Sequence, residues 1–160
     1  MNGWILYSGT PVKELERAAV EAKAASVSLE VVAPKEIALT LDLESPSVLY
    51  RNGGVAAAPD FALAAFVEEA DYYNLALLRQ LEAQGVVCVN RADTLEKTGD
   101  KLRTLQLLAP YGIPMPKTIL LNHATTTEFL VERLGLPVVV KILSGSKGKG
   151  VALISSEKEL

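Results

Sequence analysis

From Gly3 to Val89 the chain alternates short oily runs with segments whose apolar residues recur every three or four positions, and no other feature constrains the fold as tightly. Gly3 to Ser8 is a short apolar run closed by Gly9-Thr10-Pro11, which predicts a buried strand entering a turn. From Val12 to Ala25, Leu15, Ala18, Ala19 and Ala22 line one helical face, while Lys13, Glu14, Arg17 and Glu21 cover the other. Val27 to Ala33 is a second strand, stopped by Pro34. Ser45 to Ala58 holds Asn52-Gly53 between apolar flanks, the signature of a hairpin, and reads as an excursion. Phe61 to Val67 suits a central strand, although its alanines leave a helix open. Tyr72 to Gln84 repeats Leu75, Leu78 and Leu81 and stops at Gly85, as a helix does before a left-handed residue. Val86 to Val89 is again a strand. Strands that alternate with helices pair parallel and are covered by those helices, so this portion is expected to be a doubly wound α/β unit.

The character changes after Asn90, and a boundary is expected there, giving domains 1–90 and 91–160. Charged residues crowd Arg91 to Arg103, and Leu102, Leu105 and Leu108 form the apolar line of a helix capped by Thr98, with Asp100 near its positive end. Gly112-Ile113-Pro114-Met115-Pro116 ends it. Lys117 to Leu121 reads as a strand, Thr126 to Leu134 as a helix, and Pro137 to Leu143 as a strand. No internal repeat or low-complexity stretch is present.

Composition excludes several classes. A net charge of −3 over 160 residues gives no general attraction to nucleic acid or to an anionic membrane, so any anion site must be local. No apolar run approaches the roughly 20 residues that span a bilayer. Cys88 is the single cysteine and the N-terminus lacks signal-peptide features, which leads to the expectation of a cytoplasmic protein. His123 has no second histidine or cysteine nearby to share a metal, and Cys88, inside an apolar run without an activating base, reads as a core residue.

The chemistry concentrates near the C-terminus. Lys141 sits inside an apolar run, sharing a strand face with Val139 and Leu143. An ammonium among hydrocarbon keeps its charge cheaply only beside an anion, although a lysine on an edge strand can also serve to discourage aggregation. The loop that follows, Ser144, Gly145, Ser146, Lys147, Gly148, Lys149 and Gly150, is small or cationic at every position. Its glycines let backbone N–H groups approach phosphate oxygens. A P-loop would need Ser or Thr after its lysine and then a helix; here Lys149 precedes Gly150 and the strand-like Val151 to Ile154. The element is therefore expected to be a hairpin flap over phosphates. Lys101 opposes the dipole in the first turn of its helix, a place where a phosphate would be favoured, although taken alone it reads equally as an exposed lysine offset by Asp100.

These residues resemble a known family. Asp100-Lys101-Leu102-Arg103, Gln106-Leu107-Leu108, Gly112 to Lys117, Pro137 to Lys141 and Ser144 to Val151 occur in the order and spacing of the ATP-grasp superfamily, and are most similar to RimK-type α-L-glutamate ligases. The earlier strands match the pre-ATP-grasp α/β domain of those enzymes, and Leu78-Arg79-Gln80 matches a stretch in its second half. The implied fold class is α/β: a doubly wound parallel-sheet pre-ATP-grasp domain followed by the first, incomplete part of an ATP-grasp domain.

The resemblance implies an ATP-dependent carboxylate–amine ligase. ATP phosphorylates a carboxylate of an amino acid or peptide, and an amine attacks the acyl phosphate. Lys101 and Lys141 would take the positions of the family's two phosphate-contacting lysines, with Ser144 to Gly150 as the closing loop. Magnesium is implied too, with its acidic and asparagine ligands expected beyond Leu160, along with the adenine-binding strand and substrate arginines. The 160-residue chain alone is accordingly expected to be inactive and to bind ATP weakly. Where many RimK-type enzymes carry Pro-Arg-x-Gly, this sequence has Ala64-Ala65-Phe66-Val67, which leaves the carboxylate and the amine open. Another ATP-grasp ligase, of the lysine-biosynthesis or dipeptide type, and a non-catalytic module keeping the fold are the alternatives. An incomplete second domain could also pair with another copy, because its sheet lacks partners.

Overall fold

In the computed structural model the described residues are 1–7, 13–41, 43, 48–65, 71–143 and 150–160. They form two compact units, Met1–Glu96 and Lys97–Leu160.

In the first unit, β1 (Asn2–Leu6) leads to α1 (Lys13–Ala24) and β2 (Ser28–Val32). Three antiparallel strands follow, β3 (Ile37–Thr40), β4 (Val48–Arg51) and β5 (Gly54–Ala56). The chain then returns through β6 (Phe61–Ala64), α2 (Tyr72–Ala83) and β7 (Val87–Val89) to α3 (Ala92–Gly99). The main sheet is parallel, in the order β2-β1-β6-β7. The crossover from β1 moves one way along the sheet and that from β6 moves the other. Right-handed crossovers therefore put α1 and α2 on opposite faces, the doubly wound arrangement expected from the alternation.

Burial follows strand position. β1 lies inside the sheet; Trp4 and Leu6 enter the main core on one face, and Ile5, on the other, is also buried. Val32, Ala62 and Cys88 join Trp4 and Leu6 from neighbouring strands, and α2 adds Leu75, Leu77, Leu78 and Leu81. The helix starts where Asp71 accepts a hydrogen bond from the Asn74 N–H at 2.8 Å and ends at Gly85, whose φ is +82°. Glu82 of α2 then accepts from the Ala92 N–H at 2.9 Å, capping α3 with a borrowed carboxylate.

The antiparallel excursion has a strand more than expected, since Ile37–Thr40 pairs with β4. Ile37 and Leu49 sink into the main core, which explains why this short piece orders at all. Its turn is the expected Asn52-Gly53, with both residues at positive φ, +54° and +77°, as a tight hairpin turn requires. Arg51 ties the meander to the sheet: its guanidinium bonds Glu30 of β2 and lies 3.0 Å from Glu36. These two carboxylates, Glu30 foremost, raise the arginine pKa above its ordinary value.

The second unit contains α4 (Lys101–Leu108), α5 (Thr127–Leu134), β8 (Val138–Lys141) and β9 (Val151–Ile154). Gly112 at φ +65° closes the turn after α4, and Thr126 caps α5 by accepting from the Phe129 N–H at 3.3 Å. Strands β8 and β9 pair antiparallel, Lys141 opposite Val151. The strand expected at Lys117 to Leu121 is absent, because the segment forms no ladder with any described strand. β-propensity without a partner does not make a strand. Instead the Lys117 ammonium donates to the Arg133 carbonyl in the last turn of α5, a favourable end of the helix for a cation. Among the described residues, no helix is long and apolar enough to cross a membrane.

Candidate functional site

The site is assembled on α4 and the β8–β9 hairpin. Asp100 interrupts the helical path between α3 and α4 and caps α4; its carboxylate accepts from the Arg103 N–H at 2.9 Å. The expected cap, Thr98, lies instead in the last turn of α3. Asp is among the strongest capping residues, and its position directly before the periodic Leu102, Leu105 and Leu108 was a legible signal for this. The cap has a chemical consequence. A carboxylate already answers the positive end of α4, so an anion nearby would be drawn by the lysine amine more than by free helical N–H groups.

Lys101, the first residue of α4, extends its amine to the carbonyl of Leu143 at 3.3 Å. Leu143 stands two residues beyond Lys141, at the root of the glycine-rich loop. The structure thus brings the helix lysine, 42 positions away in sequence, to the mouth of the hairpin that carries the second lysine.

The hairpin closes where expected. The Ile142 N–H donates to the Gly150 carbonyl at 3.0 Å, just beyond the ladder pair Lys141 and Val151. Gly150 adopts φ +68°, and an added Cβ would lie 2.3 Å from Ile142 Cδ1 and 2.4 Å from its Cγ1. Both the backbone angle and the missing side chain are needed to seat Ile142 there. Ser144, Gly145, Ser146, Lys147, Gly148 and Lys149, expected to form the flap itself, lie outside the described residues.

Lys141 departs from expectation in its surroundings. Its neighbours are hydrocarbon, as read, but the lysine is exposed, and so are Val139, Val140, Ile142 and Leu143. Alternation assigns residues to faces and says nothing about whether a face is covered; β8 has β9 as its single described ladder partner, and the apolar side chains on both of its faces remain open to solvent. Among the described residues no carboxylate pairs with Lys141.

Two other residues weighed from the sequence find plainer places. Cys88 is buried in β7, and its thiol is pushed up to about 11, first by burial and then by the charge of Glu82. His123 lies in a turn where the Asn122 carboxamide oxygen accepts from the Ala124 N–H at 2.9 Å. Among the described residues no three His, Cys, Asp or Glu side chains group so as to hold a metal ion.

The RimK PreATP-grasp domain family matches residues 1–95, and the RimK-like ATP-grasp domain family matches residues 98–160. A probable alpha-L-glutamate ligase of Legionella pneumophila (strain Corby) is 34% identical over 155 residues, which cover 96% of this chain and 51% of that protein. One from Maridesulfovibrio salexigens is 36% identical over 126 residues, covering 78% and 42%. The crystal structure of a RimK domain protein ATP-grasp from Sphaerobacter thermophilus superposes with a TM-score of 0.70 at 27% identity, over 99% of this chain and 55% of that one. The chain spans about half the length of the curated relatives it matches. With two successive domain families covering it nearly end to end, the chain belongs to the RimK-type ATP-grasp family.

Proposed function

We propose that this chain supplies the phosphate-binding front half of an ATP-dependent carboxylate–amine ligase of the glutamate-ligase type. The observation that carries the proposal is the hydrogen bond from the Lys101 amine to the Leu143 carbonyl, two residues beyond Lys141 in the sequence. The names of the similar proteins, probable alpha-L-glutamate ligases, support the choice of reaction.

ATP supplies the phosphoryl group that converts the substrate carboxylate to an acyl phosphate, from which the attacking amine then displaces phosphate. In this reading Lys101 approaches the polyphosphate from α4 and Lys141 from β8, and preorganised cations stabilise charge as it moves between phosphate oxygens. Ser144, Gly145, Ser146, Lys147, Gly148 and Lys149 close over the phosphates as a flap, hinged where Gly150 turns against Ile142. Magnesium is assigned no ligand among the described residues, and by resemblance its ligands follow Leu160. The carboxylate and the amine belong to amino acids or peptides.

The test is ATP affinity, measured by calorimetry on this chain joined to the second half of the Legionella pneumophila relative. Each charge-assisted contact to phosphate is worth about 1.5–3 kcal/mol, so Lys101→Ala and Lys141→Ala should each weaken binding at least about tenfold. Unchanged affinity in both variants rejects the assignment. Affinity that falls as expected without ligase turnover with any amino acid favours a non-catalytic module.

A further inference from the structure

We propose that Asn52, at the tip of the β4–β5 hairpin, is a site of spontaneous modification by water: its carboxamide closes onto the nitrogen of Gly53, and the ring then opens to aspartate and isoaspartate. The second product loosens the antiparallel meander. The proposal concerns the first unit and does not depend on the reaction proposed above.

Two asparagines precede glycine, Asn2 and Asn52, and the fold places them oppositely. Asn52 and Gly53 are both exposed and form the centre of the turn, just beyond the last ladder pair, Arg51 and Gly54. Among the described residues no hydrogen bond holds the Asn52 carboxamide or the Gly53 N–H. Apart from its chain neighbours, no described heavy atom lies within 4 Å of the position a Gly53 Cβ would take. Asn2 is pinned. Its N–H donates to the Asp60 carboxylate at 2.6 Å, and its carbonyl accepts from the Asp60 N–H at 2.8 Å. Gly3 is buried beneath the Phe61 ring, on a strand held between β2 and β6.

Ring closure requires the carboxamide carbon to meet the Gly53 nitrogen, and a glycine has no side chain to obstruct the approach. Rotation about the Asn52 Cα–C bond brings the two together. At an exposed hairpin tip that rotation needs only a local opening, whereas at Asn2 it needs β1 to leave the sheet. The Gly53 nitrogen bonds to Asn52 Cγ as its proton passes to solvent; the bond from Cγ to the carboxamide nitrogen breaks, and ammonia leaves. Water then adds to either carbonyl of the cyclic imide, with no change of oxidation state. Opening at the main-chain carbonyl, rather than at Cγ, routes the chain through Cγ and lengthens it by one methylene. A two-residue turn has no slack for the added atom, so the pairing of Arg51 with Gly54 is displaced. Arg51 carries the tie to Glu30 and Glu36, and Leu49 on the same strand lies in the main core. Opening at Cγ leaves aspartate, which suits the same turn.

The experiment incubates the 160-residue chain in warm, mildly alkaline buffer, folded or in guanidinium chloride, and digests it with an acid protease. Electron-transfer fragmentation then distinguishes asparagine, aspartate and isoaspartate at each position. In the folded chain Asn52 should convert at least about tenfold faster than Asn2, with isoaspartate among the products, and in denaturant the two rates should come within about threefold of each other. The amides of β4 and β5 should exchange at least about tenfold faster in the isoaspartate form than in Asn52→Asp, which carries the same charge on an unaltered main chain. An Asn52 that stays intact in the folded chain, or converts no faster than Asn2, overturns the proposal. So does a gap between the two sites that persists in denaturant, since the fold is then not its cause. Isoaspartate that leaves β4 and β5 exchanging as they do in Asn52→Asp overturns the claim that it loosens the meander.

Discussion

Gly3 on β1 sits directly beneath the ring of Phe61 on the neighbouring strand β6, its register partner. An alanine Cβ there would lie 2.2 Å from Phe61 Cζ, 2.5 Å from Cε2 and 2.6 Å from Cε1. Carbon atoms rest at about 3.5–4.0 Å, so the ring must retreat by more than about 1 Å or the strands must part. Overpacking of this sort costs about 1–3 kcal/mol, and in a unit of this size each kcal/mol lowers Tm by about 4–8 °C. The chain contains one tryptophan, Trp4, which is the next residue and is buried, so its fluorescence during urea unfolding reports on this unit alone. Phe61→Ala provides the control. Without the ring, Gly3→Ala should cost less than about 0.5 kcal/mol, which leaves a coupling of at least about 1 kcal/mol in the double-mutant cycle. An equal cost in both backgrounds would refute the argument from the ring.

Other consequences are simpler to read. The Cys88 thiol, raised to about 11 by burial, stays protonated in the fold, so an aromatic disulfide reagent at pH 8 should react slowly with native protein and promptly in urea. By linkage, a thiol that holds its proton more tightly when folded contributes stability in full below its ordinary value of 9.0. That contribution is lost as pH rises toward about 11, so Cys88→Ala should flatten the stability profile over this interval. Gly53→Ala forces a side chain onto φ +77° and should destabilise the first unit by about 1 kcal/mol; a neutral result would mean that the turn relaxes to another form.

The first unit was largely legible because its signals are local. Trp4 to Leu6, Leu75 to Leu81 and Asn52-Gly53 each carry period, length and turn chemistry within a few residues. The strand Ile37–Thr40 was missed because it is short and is held by ladder pairing to Arg51 through Val48, which no local pattern reports. The helix Ala92–Gly99 was hidden in a charged stretch, its N-terminus capped by Glu82 from another element. Lys117 to Leu121 failed in the opposite sense, because strand propensity was present and the partner was not. At the site, residue type pointed to Lys101 and Lys141, and the two-strand flank of the loop followed from what comes after Lys149. What the sequence could not disclose was that Lys101 reaches Leu143, a contact between elements, or that the strand face carrying Lys141 lies open.

The most direct measurement of the central claim uses an acyl-phosphate derivative of ATP, which transfers its acyl group to amines lying against the bound phosphates and releases ATP. Applied to the chain joined to the Legionella pneumophila second half and mapped by mass spectrometry, it should label Lys101 and Lys141, with excess ATP suppressing both while labelling of Lys13 and Lys35 persists. Labelling of Lys101 and Lys141 that ATP does not suppress would contradict the account.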